Sequence, residues 1–408
     1  MVDVAFIILF ALVGNIIFKK IGLPGILGMI VAGIVLGPSV LDLIDPEIHA
    51  VLKEFKTIAL IVILFRAGLG IDKETLNRIG GPAIRMGFIP AIVEGAAVSA
   101  TSYCLLNLPL YAAGMLGFII AAVSPAVVVP SMLELREKGF GIKKGIPTLI
   151  LAGASVDDII AITIFGVFAS LAAGAATNWT YVFLSVPAGI VAGAVIGVII
   201  GYISIWFFKK YHIRDSMKVI IFMIVAVIFY DATELPAIKN FIPIAALLGV
   251  MAIGFILLEK YDVLANRMAA KFNKIWVLAE ILLFVYIGTE VQISKIDHSL
   301  IGVGLVILLL GLIVRSLGVG ISLLGSNLTL KEKIFCMIAY WPKATVQAAM
   351  GAVPLTMILN GQITTLSEDI GQVILAMAVL SIVVTAPLGA IGIKLTGPKL
   401  LSKDKGIS

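Results

Sequence analysis

Two adjacent aspartates, Asp157 and Asp158, interrupt a stretch of sequence that otherwise contains apolar and small residues. They lie in GASVDDIIAI (153–162), within a run from Ile146 to about Ala172 that has no other charge. A carboxylate at the centre of a bilayer costs roughly 2.5–3.5 kcal/mol on insertion scales. Two neighbouring acids in apolar surroundings also repel each other, which favours the protonated form of at least one. A group that holds a proton until a cation arrives has the chemistry that cation/proton exchange requires.

The rest of the ligand set has to come from other oxygen atoms, because a hard monovalent cation prefers several of them. Consecutive helical residues point about 100° apart, so Asp157 and Asp158 present different faces. The candidates beside the acids are the Ser124 and Thr345 hydroxyls and backbone carbonyls freed at breaks in helices. For both hydroxyls, a hydrogen bond to the preceding helical turn is an equally good interpretation. For the acids the alternative is a structural ion pair, although one aspartate would suffice for that.

The composition identifies the surrounding medium as a membrane. The chain of 408 residues is 61% hydrophobic and 13% charged, with a mean hydropathy of +1.14, whereas ordinary soluble domains contain about 25% charged residues. Successive apolar runs with short polar breaks are typical of an all-α polytopic membrane protein. Cys104 and Cys336 lie in apolar runs and indicate neither a disulfide framework nor a metal site. We expect no cofactor, and the net charge of +6 does not indicate a nucleic-acid partner.

The apolar runs predict thirteen membrane spans. They lie at about 3–18, 23–37, 55–71, 83–104, 110–133, 146–172, 179–208, 216–232, 241–258, 274–290, 299–324, 332–358 and 370–393. The even-numbered connections contain four basic residues, Lys53, Lys56, Lys239 and Lys295, and the odd-numbered connections and the C-terminal tail contain nearly all the others. The positive-inside rule therefore predicts an outer N-terminus and a cytoplasmic C-terminus in the inner (cytoplasmic) membrane.

Seven charged residues lie within the predicted spans, where charges normally face a partner or a wet cavity. They are Arg66, Glu94, Asp157, Asp158, Glu280, Arg315 and Lys343. Arg66, near the inner end of its span, is better explained by snorkelling than by gating. Glu280 is deep enough to need a partner, which the sequence does not name. The three histidines are predicted to lie in loops, with a pH-sensing role for His212 as a minor alternative.

Two spans are interrupted in matching places. The fifth contains AAVSPAVVVP with Ser124-Pro125, and the twelfth contains AYWPKATVQAA with Pro342-Lys343. Each proline removes a backbone donor, so nearby carbonyls lose their helical partners. Spans 1–6 and 8–13 form two halves of opposite orientation, and the break lies in the fifth span of each half. Broken helices at corresponding positions of inverted repeats indicate the central site of a transporter, although a single proline could be a simple kink.

Several motifs also resemble those of a known family. SPAVVVPSM (124–132), KKGIPTLILAGASVDDIIAI (143–162), LKEKIFCMIAYWPKATVQAA (330–349), FRAGLGID (65–72) and IPAIVEG (89–95) resemble the monovalent cation/proton antiporters, in particular bacterial relatives of the animal NHA branch. The resemblance implies a homodimer of protomers with a scaffold and a mobile core, in which the two broken helices cross. The implied division is scaffold 1–76, core 82–174, linker helix 178–210, scaffold 215–292 and core 298–398.

The resemblance also assigns roles to residues. It implies that Asp158 is the principal ligand for the cation and the proton. Arg315 occupies a place where many relatives have lysine; because a guanidinium stays charged, we interpret Arg315 as a permanent counter-charge. Its partner could be Asp157 or Glu94, and the resemblance favours Glu94. Asp157 is then left to share the Na⁺ ion with Asp158 or to meet Lys343.

The predicted function is exchange of Na⁺ or Li⁺ for H⁺ by alternating access, one proton for each cation and hence electroneutral. Potassium/proton antiport and sodium-coupled symport of a small organic anion remain alternatives. An intramembrane aspartyl protease is disfavoured because its two acids need to face one water from different helices. A channel is disfavoured because channels usually line a pore with few helices in a symmetric oligomer. The expected partners are a second copy of the chain, membrane lipids and monovalent cations.

Overall fold

The computed structural model describes residues 2–21, 23–38, 40–69, 73–174, 179–211, 213–239, 244–290 and 298–403. Within these ranges the chain is helical, and the only β-type pairing is an isolated bridge between Phe140 and Lys403. His212, the end of the FRAGLGID motif and the residues between spans 10 and 11 lie outside the described ranges.

Seventeen helices account for the described residues. The first nine are α1 (Val2–Lys20), α2 (Gly25–Leu36), α3 (Pro46–Gly68), α4 (Lys73–Leu105), α5 (Leu110–Ala121), α6 (Pro125–Glu137), α7 (Ile146–Ala172), α8 (Trp179–Lys210) and α9 (Asp215–Glu234). The others are α10 (Pro236–Lys239), α11 (Ala246–Lys260), α12 (Asp262–Thr289), α13 (His298–Ser322), α14 (Leu330–Ala339), α15 (Thr345–Met350), α16 (Val353–Leu359) and α17 (Glu368–Leu400).

The lengths and composition of these helices fit a multi-pass membrane protein. Eight helical segments of the described residues are long and apolar enough to cross a membrane, with α5 and α6 together forming one of them. Leucines, isoleucines and valines on their outer surfaces are exposed, as on α8 at Val191, Val195 and Ile199. Such residues have no reason to face water and are suited to lipid. The exact number of crossings and the inverted repeat remain predictions.

Helix ends extend beyond several predicted spans because charged turns continue the helix outside the apolar segment. Helix α3 begins at Pro46, nine residues before the predicted start at 55, with proline at the first helical position, where its missing N–H is not needed. Helix α12 begins at Asp262 instead of 274 and carries charged turns ahead of its apolar part. The hydropathy pattern marks the membrane-spanning segment rather than the whole helix.

The helices pack in two groups. One contains α4–α7 with α13–α17, and the other contains α1–α3 with α8–α12. Within the second group, glycines allow close crossings: a Cβ on Gly14 of α1 would collide with the backbone of Gly28 on α2, and a Cβ on Gly197 of α8 would collide with that of Gly249 on α11. The residue bounds predicted for core, linker and scaffold remain a prediction, although this packing follows the same order along the chain.

The two broken helices come together inside the first group. Helix α5 ends at Ala121 and α6 begins at Pro125, while α14 ends at Ala339 and α15 begins at Thr345. Between them the chain is non-helical, and the Ser124 N–H donates to the Pro342 carbonyl at 2.8 Å. One backbone group freed at each break therefore satisfies the other, which explains how both breaks persist away from water.

Candidate ion-binding site

Four buried charged side chains form a compact network beside the two breaks. Arg315 Nη1 lies 2.5 Å from Glu94 Oε2 and its Nη2 lies 2.9 Å from Asp157 Oδ2. Lys343 Nζ also reaches Glu94 Oε2, at 2.6 Å. All four side chains are at most 1% exposed. Two acids and two bases therefore neutralise each other where an unpaired charge would be costly.

The network decides the partners that the sequence left open. The sequence suggested either Glu94 or Asp157 as the partner of Arg315, but Arg315 pairs with both. A guanidinium has five N–H donors in a planar fork and can bind two carboxylates at once. Of the two roles left open for Asp157, an ion pair with Lys343 is not formed, because Lys343 pairs with Glu94. Nor is Asp157 entirely free for a cation, since its Oδ2 accepts from Arg315 and from the Val123 N–H at 2.9 Å.

The carbonyls at the end of α5 are already occupied. The Gln347 side chain donates to the Ile119 and Ala122 carbonyls at 2.8 and 2.9 Å and to that of Ile120 at 3.4 Å. Arg315 and Lys343 both donate to the Ala121 carbonyl. A helix end leaves four carbonyls without partners. Here Gln347 of α15 satisfies those of Ile119 and Ala122 and also approaches that of Ile120, while Arg315 and Lys343 satisfy that of Ala121. The predicted use of freed carbonyls as cation ligands therefore does not extend to these.

Asp158 lies outside this network, although it follows Asp157 directly. It lines a cavity of about 230 Å³ together with Pro125, Ser155 and Thr345. Its Oδ1 has no hydrogen-bond partner in the described structure, and no described cationic side chain forms an ion pair with it. We call the point where the two broken helices meet the crossover. Among the described charged residues there, only Asp158 both has a carboxylate oxygen without a hydrogen-bond partner and lines this cavity.

The two predicted hydroxyl ligands face each other at the crossing. Ser124 Oγ and Thr345 Oγ1 are 3.5 Å apart and both residues are buried. Within the described residues neither hydroxyl bonds to the preceding helical turn, in contrast to Ser155, which donates to the Leu151 carbonyl at 3.0 Å. Thr345 also lines the Asp158 cavity. Joint coordination of a cation by Asp158, Asp157, Ser124 and Thr345 remains a prediction.

The cavity opens toward one end of the helices. Its lining includes Lys56 in the first half of α3, Thr163 in the second half of α7 and Thr233 at the end of α9. We call this end the distal face. The other end, which we call the basic face, contains the last turns of α1 and α8, with Lys19, Lys20, Lys209 and Lys210, and the connection 138–145. The charge pattern assigns this end to the cytoplasm.

A second cavity, of about 280 Å³, opens at the basic face. Its walls include Arg66 and Glu280 from one helix group and Ser131 and Glu137 from the other. Arg66 lies 3.8 Å from Glu137, so it makes an ion pair across the groups rather than only snorkelling. Glu280 shares the cavity with Arg66 and Lys19, which supply the positive charge that the sequence could not assign.

The histidines are not part of the crossover. His49 was predicted in a loop but lies in the first turn of α3, where its Nε2 is 2.9 Å from Glu290 Oε1. His298 is the first residue of α13. In the described structure, no group of three or more histidine, cysteine, aspartate or glutamate side chains could hold a metal ion.

Sequence analysis missed Gln347 and Tyr340. Gln347 is 1% exposed and Tyr340 is fully buried, with its ring 5.1 Å from the Arg315 guanidinium carbon and its carbonyl accepting from Arg315 Nε at 2.6 Å. A glutamine two residues after Thr345 in an apolar segment was an available signal, since an amide rarely lies in a membrane without partners. Nothing in the sequence marked Tyr340 as part of the site, because tyrosine is common in membrane proteins.

Comparisons with known proteins place this fold and site in one class. The chain matches the family described as sodium/hydrogen exchanger, transmembrane, over residues 6–397. This fold, with two interrupted helices meeting at buried acids, is thus that of a membrane transporter.

The chain belongs to the sodium/hydrogen exchanger family, and the predicted resemblance to cation/proton antiporters is confirmed. It is 34% identical to sodium/hydrogen exchanger 9B2 of Xenopus tropicalis over 388 residues, which cover 93% of this chain and 70% of that protein. It is 31% identical to sodium/hydrogen exchanger 9B1 of Homo sapiens over 387 residues, which cover 93% and 73%.

A solved structure shares the fold. The sodium proton antiporter MjNhaP1 from Methanocaldococcus jannaschii, determined at pH 8, superimposes with a TM-score of 0.76 at 20% sequence identity, covering 98% of this chain and 99% of that one. At this identity the likeness establishes the common architecture.

Proposed function

We propose that this protein exchanges Na⁺ or Li⁺ for H⁺ across the cytoplasmic membrane by alternating access, with cation and proton competing for Asp158. The observation that carries the proposal is that Asp158 lines a cavity open to the distal face, while Asp157 and the other charges at the crossover are paired. Family membership supports the choice of sodium and protons.

Competition follows from the surroundings of Asp158. A carboxylate beside apolar walls and a second acid needs a positive charge, which a proton or an alkali cation can supply. Since no described lysine or arginine pairs with Asp158, the exchanged ion has no internal competitor there. Ser124 and Thr345 offer neutral oxygens near the same point.

The neutral network supports electroneutral exchange. Glu94, Asp157, Arg315 and Lys343 pair as two acids with two bases and are at most 1% exposed, so they need not change protonation during the cycle. One charge remains, that of Asp158. If it carries one cation in one direction and one proton in the other, no net charge crosses the membrane.

The two cavities support alternating access. Both lie between the same two helix groups, and α6 lines both: Pro125 borders the distal cavity and Pro130 the basic one. Five helical residues span only about 8 Å, so a thin barrier separates the cavities along α6. A modest displacement of one group against the other would close the distal cavity and open the basic one onto Asp158.

The arrangement in the membrane completes the proposal. We place the basic face in the cytoplasm and the N-terminus outside, which makes the described conformation outward-open. We also propose thirteen crossings, an inverted repeat of spans 1–6 and 8–13, and a homodimer formed through the scaffold. The apolar outer surfaces of α1 and α8 are suited to lipids and to a second copy.

Proteoliposomes containing a pH-sensitive dye test the function. Adding Na⁺ or Li⁺ should drive protons out of the vesicles, and the apparent KM for Na⁺ should rise as the pH falls, because protons then occupy Asp158. Asp158→Asn should abolish exchange, with Asp262→Asn on the exposed first turn of α12 as the control. Full exchange by the Asp158→Asn variant would exclude Asp158 as the ligand, and a preference for K⁺ would favour potassium/proton antiport.

Membrane voltage tests the stoichiometry. With no pH gradient, an imposed potential should drive no cation flux through the wild-type protein, since a one-for-one exchange moves no net charge. Flux that follows the potential would contradict electroneutral exchange while leaving the assignment of Asp158 intact.

A further inference from the structure

Gln347 makes more hydrogen bonds at the crossover than any uncharged side chain described there. Its Nε2 lies 2.8 Å from the Ile119 carbonyl, 2.9 Å from that of Ala122 and 3.4 Å from that of Ile120. The opposite amide orientation would set its oxygen against three carbonyl oxygens, so the donor assignment follows from the partners themselves. Gln347 Oε1 is buried without a partner.

These bonds join the two broken helices. Gln347 lies on α15, two residues after Thr345, and its partners form the end of α5. The two breaks are also joined by the Ser124–Pro342 backbone bond and the Ser124–Thr345 hydroxyl contact. The Ala121 carbonyl, which Gln347 does not reach, accepts from Arg315 and Lys343. Gln347 thus fixes α15, and with it Thr345, relative to the segment that carries Ser124.

The hydrogen bonds from Gln347 also make these carbonyls less available to a bound cation. A carbonyl that accepts a buried amide N–H is a poorer cation ligand than a free one, because the two compete for the same lone pairs. The two N–H groups of Gln347 cap the carbonyls of Ile119 and Ala122, and the Ala121 carbonyl faces two cationic groups. These three carbonyls at the end of α5 are therefore poor candidates for cation ligands. The side-chain oxygens of Asp158, Asp157, Ser124 and Thr345 are the predicted ligands that remain.

We propose that Gln347 is a positioning residue that fixes the ligand geometry of the Asp158 site, holding Thr345 in place and keeping the carbonyls of Ile119 and Ala122 out of the coordination shell. The inference rests on the proposed exchange function. It assigns to Gln347 control of cation affinity and selectivity, not of proton binding, and it predicts that loss of the amide changes the apparent KM and the order of cation preference more than the maximal rate.

The first test is Gln347→Ala in proteoliposomes containing a pH-sensitive dye, with NaCl, LiCl and KCl added separately. Loss of buried hydrogen bonds of this kind should raise the apparent KM for Na⁺ by about tenfold, with a maximal rate within about twofold of wild type. The freed carbonyls should also narrow the preference for Na⁺ over K⁺. The matched control is Gln372→Ala, an exposed glutamine on α17 that bonds only to Glu368 at 3.3 Å.

The second test is Gln347→Glu, which also separates positioning from failure to fold. A protonated carboxyl can donate one hydrogen bond and a carboxylate none. The apparent KM for Na⁺ should therefore approach the wild-type value at low pH and diverge from it as the pH rises. The comparison of variant and wild type at each pH isolates position 347, because the other charged groups around the crossover are the same in both proteins. These groups are Glu94 on α4, Asp157 and Asp158 on α7, Arg315 on α13 and Lys343 at the second break.

The outcomes are distinct. A tenfold change in KM with altered selectivity, together with a defect of Gln347→Glu that is reversed on acidification, supports the proposal. Wild-type KM values in both variants overturn it, as does a pH-independent loss of maximal rate with unchanged KM, which would indicate structural support alone. Failure of the proposed function itself would appear differently, as absence of Na⁺-driven proton movement in the wild-type protein.

Discussion

Asp157 and Asp158 are adjacent on α7 but have opposite surroundings. Asp157 is fully buried and its Oδ2 accepts from Arg315 and from the Val123 N–H, whereas Asp158 lines the distal cavity and forms no ion pair with a described side chain. The 100° rotation between consecutive helical residues produces this division. One carboxylate is therefore part of the fixed architecture, and the other is available for exchange.

The contrast predicts opposite effects of the two Asp→Asn changes on stability. Asp157→Asn removes a charge that Arg315 needs and should destabilise the protein by about 3 kcal/mol, as breaking a buried pair does. Asp158→Asn removes a carboxylate that has no ion-pair partner among the described residues and should leave the melting temperature unchanged or higher. Thermal unfolding in detergent, followed by tryptophan fluorescence, compares the two. Equal losses in both variants would mean that Asp158 also belongs to the structural network.

Arg315→Lys tests the counter-charge. Arg315 donates to Glu94, Asp157, and the carbonyls of Ala121 and Tyr340, and a lysine ammonium cannot reach all four from one point. We expect a loss of about 2–4 kcal/mol in stability. The same variant also tests whether a lysine, which can lose its proton, makes transport respond to voltage.

The control for that variant is Arg267→Lys, because Arg267 is half exposed and lies 3.4 Å from Asp215. Surface pairs of this kind contribute at most about 1 kcal/mol. If the two arginine variants melted at the same temperature, the central role of Arg315 in the network would be wrong.

Thr345 is predicted to act through its hydroxyl. Thr345→Ala should raise the apparent KM for Na⁺ about fivefold, since one neutral oxygen near Asp158 is lost. Thr345→Ser, which keeps the oxygen, should restore most of the affinity. Thr356→Ala is the control, because that exposed hydroxyl bonds only to the Ala352 carbonyl at 3.0 Å. An equal KM for the alanine and serine variants, both raised, would indicate that the methyl group matters instead.

Labelling of cysteines tests the access routes and the orientation. In a Cys104→Ser background, Thr163→Cys faces the distal cavity and Ser131→Cys faces the basic cavity, while Cys336 is fully buried. A charged, membrane-impermeant methanethiosulfonate should label position 163 from outside and position 131 only from the cytoplasmic side. The reverse pattern would show that the orientation is inverted, and labelling of both from one side would contradict separate cavities.

The sequence predicted the helical fold class and the two helix breaks because both depend on local signals. Apolar runs identified the helical segments, and prolines beside polar residues identified the breaks at Ser124 and Pro342. Charges are rare in lipid, so the few inside apolar runs, including Glu94, Asp158, Arg315 and Lys343, were recognisable one by one. Helix ends were less well predicted, as at Pro46 and Asp262, because helices continue past the apolar segment.

Only the tertiary structure determined which charges pair and which acid faces a cavity. Sequence spacing gives the direction of Asp157 and Asp158 relative to each other but not relative to α4 or α13, whose positions depend on packing over the whole chain. The same limit applies to Gln347, whose partners on α5 lie more than 220 residues away. Ion pairs and hydrogen bonds are short-range and directional, so their partners are fixed only when distant helices have met.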